Sequence, residues 1–103
     1  MTAVRENGAR PAGKTRDKPR EPEDYRVILL NDNYTTMDFV VEILVSIFRK
    51  SEGEAHRIMM DVHSKGQGLV GLYPWDIACT KVEQVHAAAA KNEFPLRCIV
   101  EQA

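Results

Sequence analysis

YRVILLNDNYTTMDFVVEILVSIF, residues 25–48, switches its hydrophobic period once, and the switch falls on a dense polar segment. Residues 25–30 read as a strand with buried faces. Asn31-Asp32-Asn33 ends that strand, and Thr35 or Thr36 suits the N-cap of a helix. Met37, Val40, Val41, Leu44, Ile47 and Phe48 then recur at helical spacing. Moving outward, Ser51 followed by Glu54 forms a capping box. Ala55, Ile58, Met59, Val62 and His63 mark the face of a second helix, which Gly66 stops. Residues 69–73 suit a strand entered through a Gln67-Gly68 turn, although Gly71 weakens its middle. Pro74 opens a third helix with the stripe Ile77, Ala78, Val82, Val85 and Ala89, and the segment 92–95 ends it. Residues 96–101 read as the last strand. The expected fold class is therefore α+β: a small antiparallel three-stranded sheet packed against three helices in the order β-α-α-β-α-β.

Composition divides the chain in two. Residues 1–22 carry Arg5, Arg10, Lys14, Arg16, Lys18 and Arg20 against Glu6, Asp17 and Glu21, together with three prolines and hardly any large apolar residue. Burial within such a stretch does not offset the entropy of ordering it, so a disordered N-terminal extension is expected, followed by one core domain over residues 23–103. No aromatic is interleaved with these charges and acidic residues interrupt them, which argues against a nucleic-acid arm. No apolar run approaches the roughly 18 residues of a membrane span, and the polar start lacks the apolar middle of a signal peptide. A cytoplasmic protein with no membrane partner is expected, with Cys79 and Cys98 as reduced thiols.

Few residues suggest chemistry. His56, His63 and His86 stand seven or more positions apart, and even His56 and His63 are separated by about 10 Å of helical rise, too far to share one ion. Neither a metal nor a cofactor is expected. The cysteines lie in a helix and a strand with no glycine-rich elbow or phosphate loop beside them, so no catalytic residue is assigned. The unusual feature is the polar run 31–36, wedged between a buried strand and an apolar helix. Turn and cap chemistry alone accounts for its composition. Packing of the helices over the sheet would also bring Met37, Val40, Met59 and Val62 beside it as an apolar hollow, with His63 at the rim.

The same residues carry a resemblance. Tyr25-Arg26-Val27-Ile28-Leu29-Leu30-Asn31-Asp32-Asn33-Tyr34-Thr35-Thr36-Met37-Asp38-Phe39-Val40 resembles the start of the ClpS adaptor domain, and Val62-His63, Gly66, Gly71, Thr80-Lys81-Val82, Asn92-Glu93, Pro95-Leu96 and Cys98 follow in that family's order. The resemblance spans about residues 24–103. It implies a non-enzymatic adaptor that binds proteins with a bulky hydrophobic N-terminal residue (Leu, Phe, Tyr or Trp) and delivers them to the ClpA unfoldase, an AAA+ ATPase, for degradation by ClpP. It further implies a side-chain pocket of Leu29, Thr35, Met37, Val40, Met59, Val62 and Leu96, and an α-amino site of Asn31, Asp32, Asn33 and His63. Asp76 and Lys81 would meet the N-terminal domain of the unfoldase, and residues 1–22 would match the extension used when engaging it.

Three positions depart from the family pattern. Asn33 replaces a usual Asp and removes a negative charge from the amine site; Asp76 replaces a commoner Glu; Thr36 replaces a Pro at the helix start. Two other readings stay open on the residues alone. One is a structural interaction module such as the C-terminal domain of the ribosomal stalk protein, a similarly small α+β fold without the amine-binding cluster. The other is a small-molecule enzyme using His63 with Asp32, which lacks a second catalytic group at recognisable spacing.

Overall fold

A computed structural model describes residues 24–103, so the expected extension over residues 1–22 lies outside the described residues. The element order is β1 (Asp24–Leu30), α1 (Met37–Ser46), α2 (Glu52–Lys65), β2 (Gln67–Pro74), α3 (Trp75–Lys91) and β3 (Arg97–Gln102). The strands form one antiparallel sheet in the order β2-β1-β3, with the most apolar strand in the centre. This is the α+β arrangement that the period changes predict.

Alternation along β1 sends Val27 and Leu29 to one side, where they join Val70 and Cys98 from the flanking strands. Onto that layer pack Phe39, Val40, Ile43 and Leu44 of α1, Ala55, Ile58, Met59 and Val62 of α2, and Ala78, Val85 and Ala89 of α3. The α1 stripe is rotated from the expected one: Phe39 is buried and packs against Phe94 with tilted rings whose centroids are 5.0 Å apart, while Met37 is exposed. Ile77, expected on the α3 stripe, is likewise exposed. Both helices have apolar residues on more than one face, and packing rather than period selects the buried one.

Caps set the helix ends. Thr36 is the N-cap of α1, its Oγ1 accepting from Phe39 N at 3.1 Å, and Ser51 caps α2 by accepting from Glu54 N at 3.2 Å. Gly66 ends α2 in the left-handed region at φ 89°, where a glycine carries no steric penalty. Pro74 is the N-cap of α3 rather than its first residue.

The expected Gln67-Gly68 turn is not a turn, because β2 already begins at Gln67. Gly68 instead lies inside the strand, under α2. A Cβ there would fall 2.7 Å from Val62 Cγ2 and 3.1 Å from the Ile58 carbonyl oxygen, so glycine permits the close approach of helix to strand. Gly71 adjoins a bulge: Val27 pairs with Gly71 and Ile28 with Leu69, leaving Val70 as the extra residue.

Candidate functional site

The link from β1 to α1 is organised by one carboxylate. Asp32 Oδ1 accepts from Tyr34 N at 2.8 Å and Thr35 N at 2.7 Å, and Oδ2 accepts from Thr35 Oγ1 at 2.7 Å. Partial burial opposes ionisation of this group. The bonds from the Thr35 hydroxyl, Thr35 N–H and Tyr34 N–H outweigh it and hold the carboxyl below its usual range. A carboxylate has about four lone-pair positions, so Asp32 uses most of its acceptor capacity on its own loop. Across the site, Asn31 N donates to Gly66 O at 2.9 Å, clasping the end of β1 to the end of α2 just beyond His63.

These constraints surround a cavity of about 250 Å³ lined by Asn31, Asp32, Asn33, Thr35, Met37, Val40, Met59, Val62 and His63. Sites for drug-sized ligands are typically about 300–1,000 Å³, so this one suits a single side chain with the atoms around its Cα. Its polar lining comes from the β1–α1 loop and the last turn of α2, its apolar lining from α1 and α2. Asn31, Asn33 and His63 are exposed, whereas Val40, Met59 and Val62 are buried. The arrangement presents lone pairs beside an apolar hollow, suited to a cation attached to a hydrophobic group.

Nine of the eleven residues expected at the amine site and side-chain pocket line this cavity. Leu29 and Leu96 do not: both are buried in the core, Leu29 because it shares the inward face of β1 with Val27. Asp32, expected to hold an amine, is seen organising its own loop, a role that residue type alone does not distinguish from direct contact.

Asp76 is exposed in the first turn of α3, where Oδ1 accepts from Ile77 N at 3.1 Å. Lys81 is differently engaged: Nζ donates to Ile47 O at 2.7 Å. The last turn of α1 contains no basic residue, so the α3 ammonium supplies both the missing donor and the positive charge that a helix C-terminus favours. His86, unassigned by sequence, accepts from Cys98 N at 3.0 Å through Nε2. Burial pushes the Cys98 thiol up to about 12, which fits a core residue. No group of three or more His, Cys, Asp or Glu side chains suited to a metal ion occurs among the described residues, and no described helix is long and apolar enough to cross a membrane.

Residues 20–99 match the family model described as "ATP-dependent Clp protease adaptor protein ClpS". An "ATP-dependent Clp protease adapter protein ClpS" from Syntrophus aciditrophicus (strain SB) is 60% identical over 86 residues, covering 84% of this chain and 80% of the relative. A protein of the same description from Maricaulis maris (strain MCS10) is 50% identical over 97 residues, covering 94% of this chain and 89% of the relative. Among solved structures, Agrobacterium tumefaciens ClpS2 bound to L-phenylalaninamide superposes with a TM-score of 0.78 at 37% identity, covering 81% of this chain and 100% of that one. Family model, relatives and fold agree, and the chain belongs to the ClpS family, adaptors of the ATP-dependent Clp protease rather than enzymes.

Proposed function

We propose that this adaptor binds proteins through a bulky hydrophobic N-terminal residue, Leu, Phe, Tyr or Trp, and delivers them in the cytoplasm to the ClpA unfoldase for degradation by ClpP. The observation that carries the reading is the single cavity where Asn31, Asn33 and His63 meet Met37, Val40, Met59 and Val62. A free α-amino group is an ammonium one atom away from the Cα that bears the first side chain, so its recognition requires lone pairs and an apolar hollow to adjoin. The ligand of the Agrobacterium relative, phenylalaninamide, has this chemistry.

In this reading Asn31, Asn33 and His63 accept from the ammonium, and Asp32 adds negative charge while shaping the loop. Thr35, Met37, Val40, Met59 and Val62 receive the side chain, with Leu29 and Leu96 supporting from the core. Asp76 and the α3 surface near Lys81 meet the N-terminal domain of the unfoldase. Burying a Leu or Phe side chain contributes about 1.5–3 kcal/mol, and each hydrogen bond to a charged group about 1.5–3 kcal/mol. Association entropy removes several kcal/mol of that total. At the upper end of these ranges the balance reaches about 8 kcal/mol, a Kd on the order of micromolar.

The test is a panel of labelled peptides differing only at their first residue, titrated by fluorescence anisotropy. Leu, Phe, Tyr and Trp peptides should bind and their N-acetylated forms should not. Equal binding of free and acetylated peptides refutes the reading.

A further inference from the structure

The sulfur-bearing residues among the described ones are Met37, Met59, Met60, Cys79 and Cys98, and their surroundings differ sharply. Cys98 is buried with its thiol pushed up to about 12, so it offers almost no thiolate to an oxidant. Cys79 is half-buried on α3 and does not line the cavity. Met59 lines the cavity but is only 6% exposed; Met60 is 49% exposed but lies outside it. Met37 is both 43% exposed and part of the cavity lining, at the first position of α1.

We propose that Met37 is an oxidation site through which hydroperoxides close the cavity to apolar side chains. The inference rests on the function proposed above for that cavity. The Sδ atom attacks one oxygen of hydrogen peroxide: an S–O bond forms, the O–O bond breaks, and the departing hydroxide takes the proton of the transferred oxygen to leave as water. Sulfur is oxidised by two electrons and the peroxide is reduced by two.

The product is a polar, chiral sulfoxide in place of a flexible apolar thioether. Seating a Leu or Phe side chain against it requires stripping water from the new oxygen with no donor on the incoming group to replace it. The added atom also takes up room in a hollow of about 250 Å³. Affinity for Leu- and Phe-initiated peptides should fall at least about tenfold, equivalent to about 1.4 kcal/mol. Methionine sulfoxide reductase reverses the change by oxidising a dithiol and releasing the oxygen as water.

The experiment treats the full chain with graded hydrogen peroxide, reads oxygen uptake at each methionine by peptide mass spectrometry, and titrates a labelled Leu-initiated peptide after each dose. Met37 and Met60 should gain oxygen well before Met59, with affinity falling in step with Met37. Treatment with methionine sulfoxide reductases of both stereospecificities should restore it. Met60→Leu should keep the full peroxide response. Met37→Leu, whatever its starting affinity, should show the same affinity before and after peroxide. Oxidised Met37 with undiminished binding, an unaltered response in Met37→Leu, or Met59 reacting as fast as Met37 overturns the proposal. A failure of the cavity function itself looks different: the untreated chain does not bind the peptide, while the order of methionine oxidation is still read.

Discussion

Replacing Gly68 by alanine places one carbon atom where the structure has no room. Its Cβ would lie 2.7 Å from Val62 Cγ2 and 3.1 Å from the Ile58 carbonyl oxygen, against an ordinary separation of about 3.5–4.0 Å between carbon atoms. Val62 is itself 2% exposed and packed in the core, so rotating its side chain moves the conflict to a neighbour, and the Ile58 contact is with backbone. Relief requires α2 to rise from β2. Overpacking of this kind typically costs about 1–3 kcal/mol, a little of which alanine's better strand propensity offsets. For a domain this small each kcal/mol lowers Tm by about 4–8 °C.

Met59, Val62 and His63 ride on the same helix, so the displacement also changes the cavity. Chemical denaturation of wild type, Gly68→Ala, Val62→Ala and the double variant forms a thermodynamic cycle. Removing the Val62 methyls makes space for the new atom, so the double variant should be more stable than additivity allows by about 1 kcal/mol or more. A Gly68→Ala stability within about 0.5 kcal/mol of wild type, or additive variants, refutes the close-approach argument.

Asp32→Asn should lower stability at neutral pH by about 1 kcal/mol through loss of charge-assisted bonds at a partly exposed site. Because the folded state depresses the Asp32 value, its stabilisation is complete above the unfolded carboxylate range near pH 3.9 and fades as pH falls through the folded value; the wild-type advantage in urea titrations should be flat from pH 6 to 8 and shrink below about pH 4. Met37→Ala widens the cavity beside the first side chain and should admit peptides beginning with Ile or Val, which anisotropy titration would contradict by showing them still unbound. Lys81→Met removes the ammonium that caps α1 and should destabilise the isolated chain by about 1–2 kcal/mol without any unfoldase present; unchanged urea denaturation would show that the Ile47 contact carries no stability.

The element order was legible because the period changes sharply at Asn31 and because Ser51 and Gly66 are strong boundary signals. The buried side of α1 was less so. Phe39, Val40, Val41, Ile43, Leu44 and Val45 surround that helix with apolar groups, and only the sheet and Phe94 determine that Phe39 points inward while Met37 faces the cavity. Gly68 was misread for a related reason: glycine marks both tight turns and close approaches, and only the position of α2 separates the two. At the site, Asn, Asp and His beside a Met- and Val-bearing helix already indicated a polar rim over an apolar hollow. Residue type allowed turn chemistry at Asp32 without separating it from direct amine contact, and gave no indication that Lys81 reaches the end of α1.

The Asn31 to Gly66 clasp has an implication for how the cavity is preassembled. The segments bearing Asn31 and His63 are tied through main-chain atoms, so this edge of the opening is held in one geometry. A receptor assembled in advance spends little binding energy on reorganisation. Under the function proposed above, each client would meet the same preassembled frame, with discrimination vested in the side chains around the entrance.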